Sequence, residues 1–442
     1  MQPPGSPAKA WLMVALCAVM MGLNYADKGI LGFAAQPIMR DLNLSPVEFG
    51  YLASSFFLLF AVSGIALGFL ADRWPSKHVM TAMAIGWALC LLPAAGQIGF
   101  VGLIATRILL GATQGPATGV THHFLFKWFP QENRAFPAGL VHVGITGAIF
   151  LSAPTLTWII RIYDWHVAFL ALGIVAAAMV PIWMWLAEEG PIADHIVDLA
   201  PGAKEEPLPS YWHLMTNRTM LGLIATNFVL YWNLSLIVAW LPSYLNKGIG
   251  YDPSTAAWLV SLIWMVSGTC SPLVGWFSQK LLKLGIASRW ARGVFGSLST
   301  ALGGLLIGIM AVQPVGLAKT ALLLIGYVLS QNTAPLNFAM VTEITPTKRR
   351  GAVMTMYTGL LTIAGFIAPA AMGYSLEGVP AADGFRQGFL IVGAVTLIGG
   401  LLGLWLINPK ADRERLALRA QSAADPARSS LQQHPPVVSV GS

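Results

Sequence analysis

Asn24-Tyr25-Ala26-Asp27-Lys28 sets a carboxylate beside an ammonium inside a run, 11–35, that is otherwise mostly apolar. A run of that length can cross a bilayer. Each charge at a bilayer centre costs about 2.5–3.5 kcal/mol on insertion scales. The eight Leu, Ile, Val and Phe residues of the run return about 0.3–0.6 kcal/mol each. The charges win, so this helix needs protein partners or a water-filled cavity along that face rather than lipid.

Working outward, the whole chain has the composition of a lipid-embedded protein. It has 442 residues, 56% hydrophobic and only 10% charged, against about 25% charged in soluble domains. Apolar segments long enough to span recur at 10–35, 47–71, 78–97, 100–126, 135–160 and 166–187, then at 219–245, 254–279, 289–312, 316–342, 351–375 and 386–407. The expected fold is an all-α membrane protein with twelve transmembrane helices in two pseudo-symmetric six-helix bundles. The expected division is a first bundle at 1–187, a central cytoplasmic loop at 188–218, a second bundle at 219–408 and a disordered tail at 409–442. Within that tail, 412–421 can form a short helix.

Cations set the orientation. Of the 26 Lys and Arg residues, nineteen fall in the loops on the side of the two termini and five on the other side, with Lys28 and Arg107 inside spans. Basic loops stay in the cytoplasm, so both termini are expected there, in a multi-pass protein of the inner (plasma) membrane. The net charge of +7 follows from this topology and implies no nucleic-acid partner. The first apolar run is too long for a signal-peptide core and is expected to be retained. Three cysteines, Cys17, Cys90 and Cys270, lie in apolar segments without a pairing pattern.

The halves repeat one another. Gly68-Phe-Leu-Ala-Asp72-Arg73 follows the second span, and Gly275-Trp-Phe-Ser-Gln279-Lys280 follows the eighth. Gln114-Gly115-Pro116 in the fourth span has a loose counterpart in Thr333-Ala334-Pro335 in the tenth. Duplicated bundles suit a transporter that rocks around a central site.

Gly68-x-Leu70-Ala71-Asp72-Arg73-x-Pro75-x-Lys77 resembles the major facilitator signature Gly-x-Leu-Ala-Asp-Arg-x-Gly-Arg-Lys, with Pro75 in place of a glycine. In that resemblance Asp72, Arg73 and Lys77 form a gating latch at the cytoplasmic face. Further pieces are Arg107 to Pro116, Trp128-Phe129-Pro130-Gln-Glu132-Asn-Arg134, the glycines 139, 144 and 147, Trp240-Leu-Pro242-x-Tyr244 and Gly365-Phe-Ile-Ala-Pro369. Together with Asn24-Tyr25-Ala26-Asp27-Lys28 they resemble the anion:cation symporter family over most of 10–408.

The resemblance implies proton-driven uptake of a small organic anion, a sugar acid or an aromatic or short carboxylate, by a monomer without cofactor. It assigns proton coupling to Asp27 and anion binding to Lys28, with Arg107 in the charge network. Lys28 stands where the family has arginine, a point charge instead of a bidentate fork. Gln114 stands where the family commonly has glutamate, and an amide cannot titrate, so coupling rests on Asp27. Candidate substrate contacts are Tyr25, Lys28, Arg107, Gln114, His142, Tyr231, Asn332 and Thr358. For the polar residues among them, interhelical bonding is an equal alternative, and His142 is either a titrating donor or a core histidine. No metal-ligand set and no nucleophile with its base is present. A proton-driven exporter of hydrophobic compounds and a transporter-like sensor remain as other classes.

Overall fold

The computed structural model describes residues 7–71, 74–129, 135–191, 208–346 and 349–424. The chain opens with α1 (Pro7–Phe33) and, after a break at Ala34, a short α2 (Ala35–Asp41). There follow α3 (Pro46–Ala71), α4 (Ser76–Ala94), α5 (Phe100–Gln114), α6 (Ala117–Phe126), α7 (Ala135–Ile162) and α8 (Trp165–Leu186). The second half begins with a one-turn α9 (Tyr211–Thr216) and α10 (Arg218–Ala239), then α11 (Leu241–Ser243), which passes into a π-helical turn at Tyr244–Ile249. Next come α12 (Pro253–Lys283), a second π-helical turn leading into α13 (Phe295–Val312), α14 (Leu317–Gln331), α15 (Ala334–Ile344), α16 (Arg350–Leu376), α17 (Ala381–Leu406) and α18 (Pro409–Ala424).

Ten of the described helical segments are long and apolar enough to cross a membrane unbroken. The fourth and tenth crossings are each made of two shorter helices, α5 with α6 and α14 with α15. Both breaks carry a proline. Pro116 lacks the N–H that would bond the carbonyl one turn earlier, and Pro335 sits in the first turn of α15. Twelve crossings therefore stand, two of them interrupted at matching positions of the two halves.

The packing repeats as the sequence does. In the first bundle α1 packs on α7, α3 on α5 and α4 on α8. Their counterparts in the second are α10 on α16, α12 on α14 and α13 on α17. Small residues permit the close contacts. A Cβ at Gly111 would lie 1.9 Å from the Phe56 carbonyl oxygen, and one at Gly115 would lie 2.1 Å from that of Phe60. This four-residue spacing of glycines lets α5 lie backbone to backbone on α3.

Across the bundles, α3 meets α16, α7 meets α12 and α1 meets α10. The polar bonds that join the bundles among the described residues lie toward the face opposite the termini. Arg161 Nη1 donates to Ser254 Oγ at 3.3 Å, Ser261 Oγ to the Phe150 carbonyl at 3.1 Å, and the Tyr51 and Tyr374 hydroxyls meet. On the face of the termini, the ion pairs among the described residues tie each bundle to itself or to the start of the central loop: Lys9 with Glu188, Lys127 with Glu189, and Arg292 with Glu343. The short helix expected in the tail is α18. Its Asp412 accepts from the Thr219 N–H and hydroxyl, both at 2.7 Å, and its Leu416 is buried.

Candidate functional site

On α1, Asn24 and Lys28 are one turn apart and share a face. The Lys28 ammonium donates to Asn24 Oδ1 at 2.7 Å. It also sits 4.1 Å from the centre of the Tyr25 ring, with Phe60 at 5.4 Å and Phe56 at 5.9 Å. Ring faces attract a cation, which offsets part of the loss of water around it. An ammonium has three donors, and among the described residues Asn24 takes one and no carboxylate lies within ion-pair distance.

Asp27, the next residue back, points elsewhere. It is 2% exposed and accepts from Gln114 Nε2 on both carboxylate oxygens, at 2.8 and 2.7 Å. Arg107, 3% exposed, reaches the Asp27 backbone carbonyl through Nη1 at 3.4 Å and lies 4.9 Å from the Phe169 ring centre. The carboxylate thus rests on a neutral amide with a guanidinium nearby, not on a direct ion pair. Gln114 Oε1 is buried without a hydrogen-bond partner.

A cavity lies between the bundles in two lobes. The first, toward the face opposite the termini, is lined by Tyr25, Lys28, Phe56, Phe57, Phe60, Arg107, Tyr231 and Trp264, with small and aliphatic residues between. The second, toward the termini, is lined by Tyr25, His142, Thr146, Asn227, Tyr231, Trp264, Ser267, Gln331 and Asn332, among others. Tyr25, Tyr231, Leu234, Ile237 and Trp264 border both.

The candidates therefore separate. Tyr25, Lys28, Arg107, His142, Tyr231 and Asn332 border the cavity. Gln114 does not; it holds Asp27 behind α1. Thr358 is absent from the lining and donates to the Met354 carbonyl of its own helix at 2.7 Å. Tyr357 is fully buried and donates to the Leu223 carbonyl. Asp72 and Arg73 lie outside the described residues. Lys77 is tied within the first bundle through its backbone, its N–H donating to Glu189 Oε1 at 2.6 Å and its carbonyl accepting from Trp183 Nε1 at 3.1 Å. Composition did not single out Phe56, Phe57, Phe60 or Trp264. The signal for the three phenylalanines was the density of rings around one turn of α3, which lipid contact would explain as well, and Trp264, on α12, had none.

Comparison with known proteins agrees with this architecture. A model of the Major Facilitator Superfamily matches residues 17–369 and 328–440. The D-galactonate transporter of Escherichia coli is 23% identical, over 90% of this chain and 96% of the relative. The hexuronate transporter of Bacillus subtilis is 25% identical, over 91% and 96%. Among solved structures, a bacterial homologue of the human lysosomal transporter Spinster, in an inward-facing and unoccupied conformation, superposes with a TM-score of 0.73 at 16% identity, covering 94% of this chain and 99% of that one. A D-xylose-proton symporter gives 0.72 at 15% identity, covering 91% and 99%. Twelve crossings in duplicated bundles, a cavity between them and a family match over most of the chain give one conclusion: this protein belongs to the Major Facilitator Superfamily, as a multi-pass membrane transporter and not an enzyme.

Proposed function

We propose that the chain is a secondary active transporter that takes up a small organic anion together with protons, by alternating access. The observation that carries this reading is the separation of two adjacent charges. Lys28 presents unmatched donors to the cavity, while Asp27 is sealed behind it on Gln114. Anion and proton then bind at neighbouring sites without competing for the same atoms. The names of the relatives, a galactonate and a hexuronate transporter, support an organic anion.

Gln114 suits a partner that changes protonation. Its amide N–H groups hold the carboxylate, and its unpaired Oε1 can accept from the carboxylic acid after a rotation of the amide. Protonation of Asp27 removes a negative charge next to Lys28 and Arg107, so both cations then favour an anion more strongly. Reorientation is favoured when the site holds both proton and anion, or neither.

The moving bodies in this reading are 1–187 and 219–408, joined by 188–218 and followed by the tail 409–442. With both termini in the cytoplasm of a cell whose plasma membrane holds the protein, the contacts opposite the termini close the outside and the cavity faces inward. Asp72, Arg73 and Lys77 would latch the cytoplasmic side in the opposite state, and the monomer is the working unit. The test is uptake into liposomes reconstituted with the purified protein. An inward proton gradient should drive accumulation of a carboxylate; no carboxylate accumulation, together with movement of hydrophobic compounds against the direction of the proton gradient, would overturn uptake in favour of proton-driven export.

A further inference from the structure

We infer that the anion is an aromatic monocarboxylate, its carboxylate on Lys28 and its ring in the aromatic lobe; this rests on the organic-anion reading above. The first lobe has one feature suited to a carboxylate, the Lys28 ammonium with its uncommitted donors. Arg107 borders the same lobe but is nearly fully buried and already engaged with the Asp27 carbonyl and the Phe169 face. A second carboxylate would have to draw Arg107 out of these contacts, while the first finds Lys28 already facing the lobe.

The walls argue for a ring. Phe57, Phe60, Tyr231 and Trp264 stand around the lobe, and offset or edge-to-face contact with an aromatic ring gains energy beyond area burial. The described lining of this lobe contains no Asp, Glu, Asn, Gln or His side chain. Its two serines, Ser152 and Ser235, already donate to carbonyls of their own helices, and the other hydrogen-bonding groups of the wall, the Tyr25 and Tyr231 hydroxyls and the Trp264 indole N–H, sit on the edges of aromatic rings. A sugar acid would bring more hydroxyls into this lobe than these few groups can pair, and hydroxyls left unpaired on burial weaken binding sharply.

The second lobe sharpens the substrate further. Ser267 Oγ is buried without a hydrogen-bond partner, and Asn227, fully buried, has its Oδ1 taken by Asn337 while its Nδ2 makes no bond of good geometry and has only the Tyr357 hydroxyl beside it. Ser267 and Asn227 both border the lobe that continues from the aromatic one. A polar group on the far side of the ring, such as a phenolic hydroxyl, would engage them.

The test is thermal stabilisation of the purified full-length protein in detergent, titrated with 4-hydroxybenzoate, benzoate, galactonate and lactate. The expected result is half-maximal stabilisation by 4-hydroxybenzoate at a concentration at least tenfold below that of galactonate, with benzoate between them. In the Trp264→Ala variant the value for 4-hydroxybenzoate should rise at least fivefold and that for lactate should stay unchanged. Trp264→Phe should restore most of the difference, which separates loss of a ring contact from damage to the fold. Galactonate binding as tightly as 4-hydroxybenzoate would overturn the inference and leave the organic-anion reading standing. Stabilisation by none of the four acids would overturn both.

Discussion

Asp27 and Lys28 adjoin in sequence, yet one helical step turns a side chain through about 100°, which sends one behind α1 and the other into the cavity. That difference gives each residue its own predicted phenotype. Lys28→Ala removes the cavity's uncommitted cation, so the affinity for substrate anion should fall at least tenfold, about 1.4 kcal/mol or more, as read from the concentration dependence of uptake. Gln114→Glu places a second carboxylate against Asp27. Two carboxylates at hydrogen-bond distance cannot both stay ionised at low cost, so the variant should carry at least one more proton per anion. Current across a solid-supported membrane would show this as increased inward positive charge per turnover; an unchanged charge-to-substrate ratio would contradict it. The pentapeptide 24–28 announced this site because charges in an apolar run are costly wherever they are found. The ring wall stayed hidden, since a phenylalanine facing a cavity and one facing lipid read alike in composition.

At the scale of helices, glycine spacing places the site. Gly111 lies one turn after Arg107, and with Gly115 it seats α5 backbone to backbone on α3, while Gln114 of the same helix reaches Asp27 on α1. Gly111→Leu should force these helices apart, because even its Cβ would overlap the Phe56 carbonyl. Overpacking of this kind costs about 1–3 kcal/mol or more, and the variant should melt several degrees lower and lose uptake, whereas a wild-type melting point would contradict the packing. Asp412→Ala should free α18 by leaving the buried Thr219 N–H without its acceptor, a loss of about 1–3 kcal/mol, seen as faster amide exchange across 409–424. All twelve crossings were legible because each is a long apolar run. The interruptions at 115–116 and 332–333 were less so, since hydropathy measures length and not continuity of hydrogen bonding. Pro116 and Pro335 were the available signals.

For the whole molecule, duplication and charge asymmetry foretold two bundles about a central cavity, while which face is closed depends on contacts between residues far apart in sequence. The Tyr51 and Tyr374 rings face each other across the two bundles, their centres 6.1 Å apart, so cysteines at these two positions can be joined by a short bifunctional thiol reagent. Tyr51→Cys with Tyr374→Cys, in a background where Cys17, Cys90 and Cys270 are replaced, should therefore stop uptake when cross-linked and recover it when a cleavable linker is cut. Full transport by the cross-linked pair would mean that this closed contact never opens. The central claim is that Asp27 carries the proton and Lys28 the anion. Its most direct test compares wild type with Asp27→Asn in the same liposomes, measuring both pH-gradient-driven accumulation and exchange of labelled for unlabelled substrate at equal pH. The account predicts that Asp27→Asn loses at least nine-tenths of gradient-driven accumulation, about the tenfold effect of 1.4 kcal/mol, yet still exchanges substrate. Accumulation at the wild-type level in Asp27→Asn would contradict it.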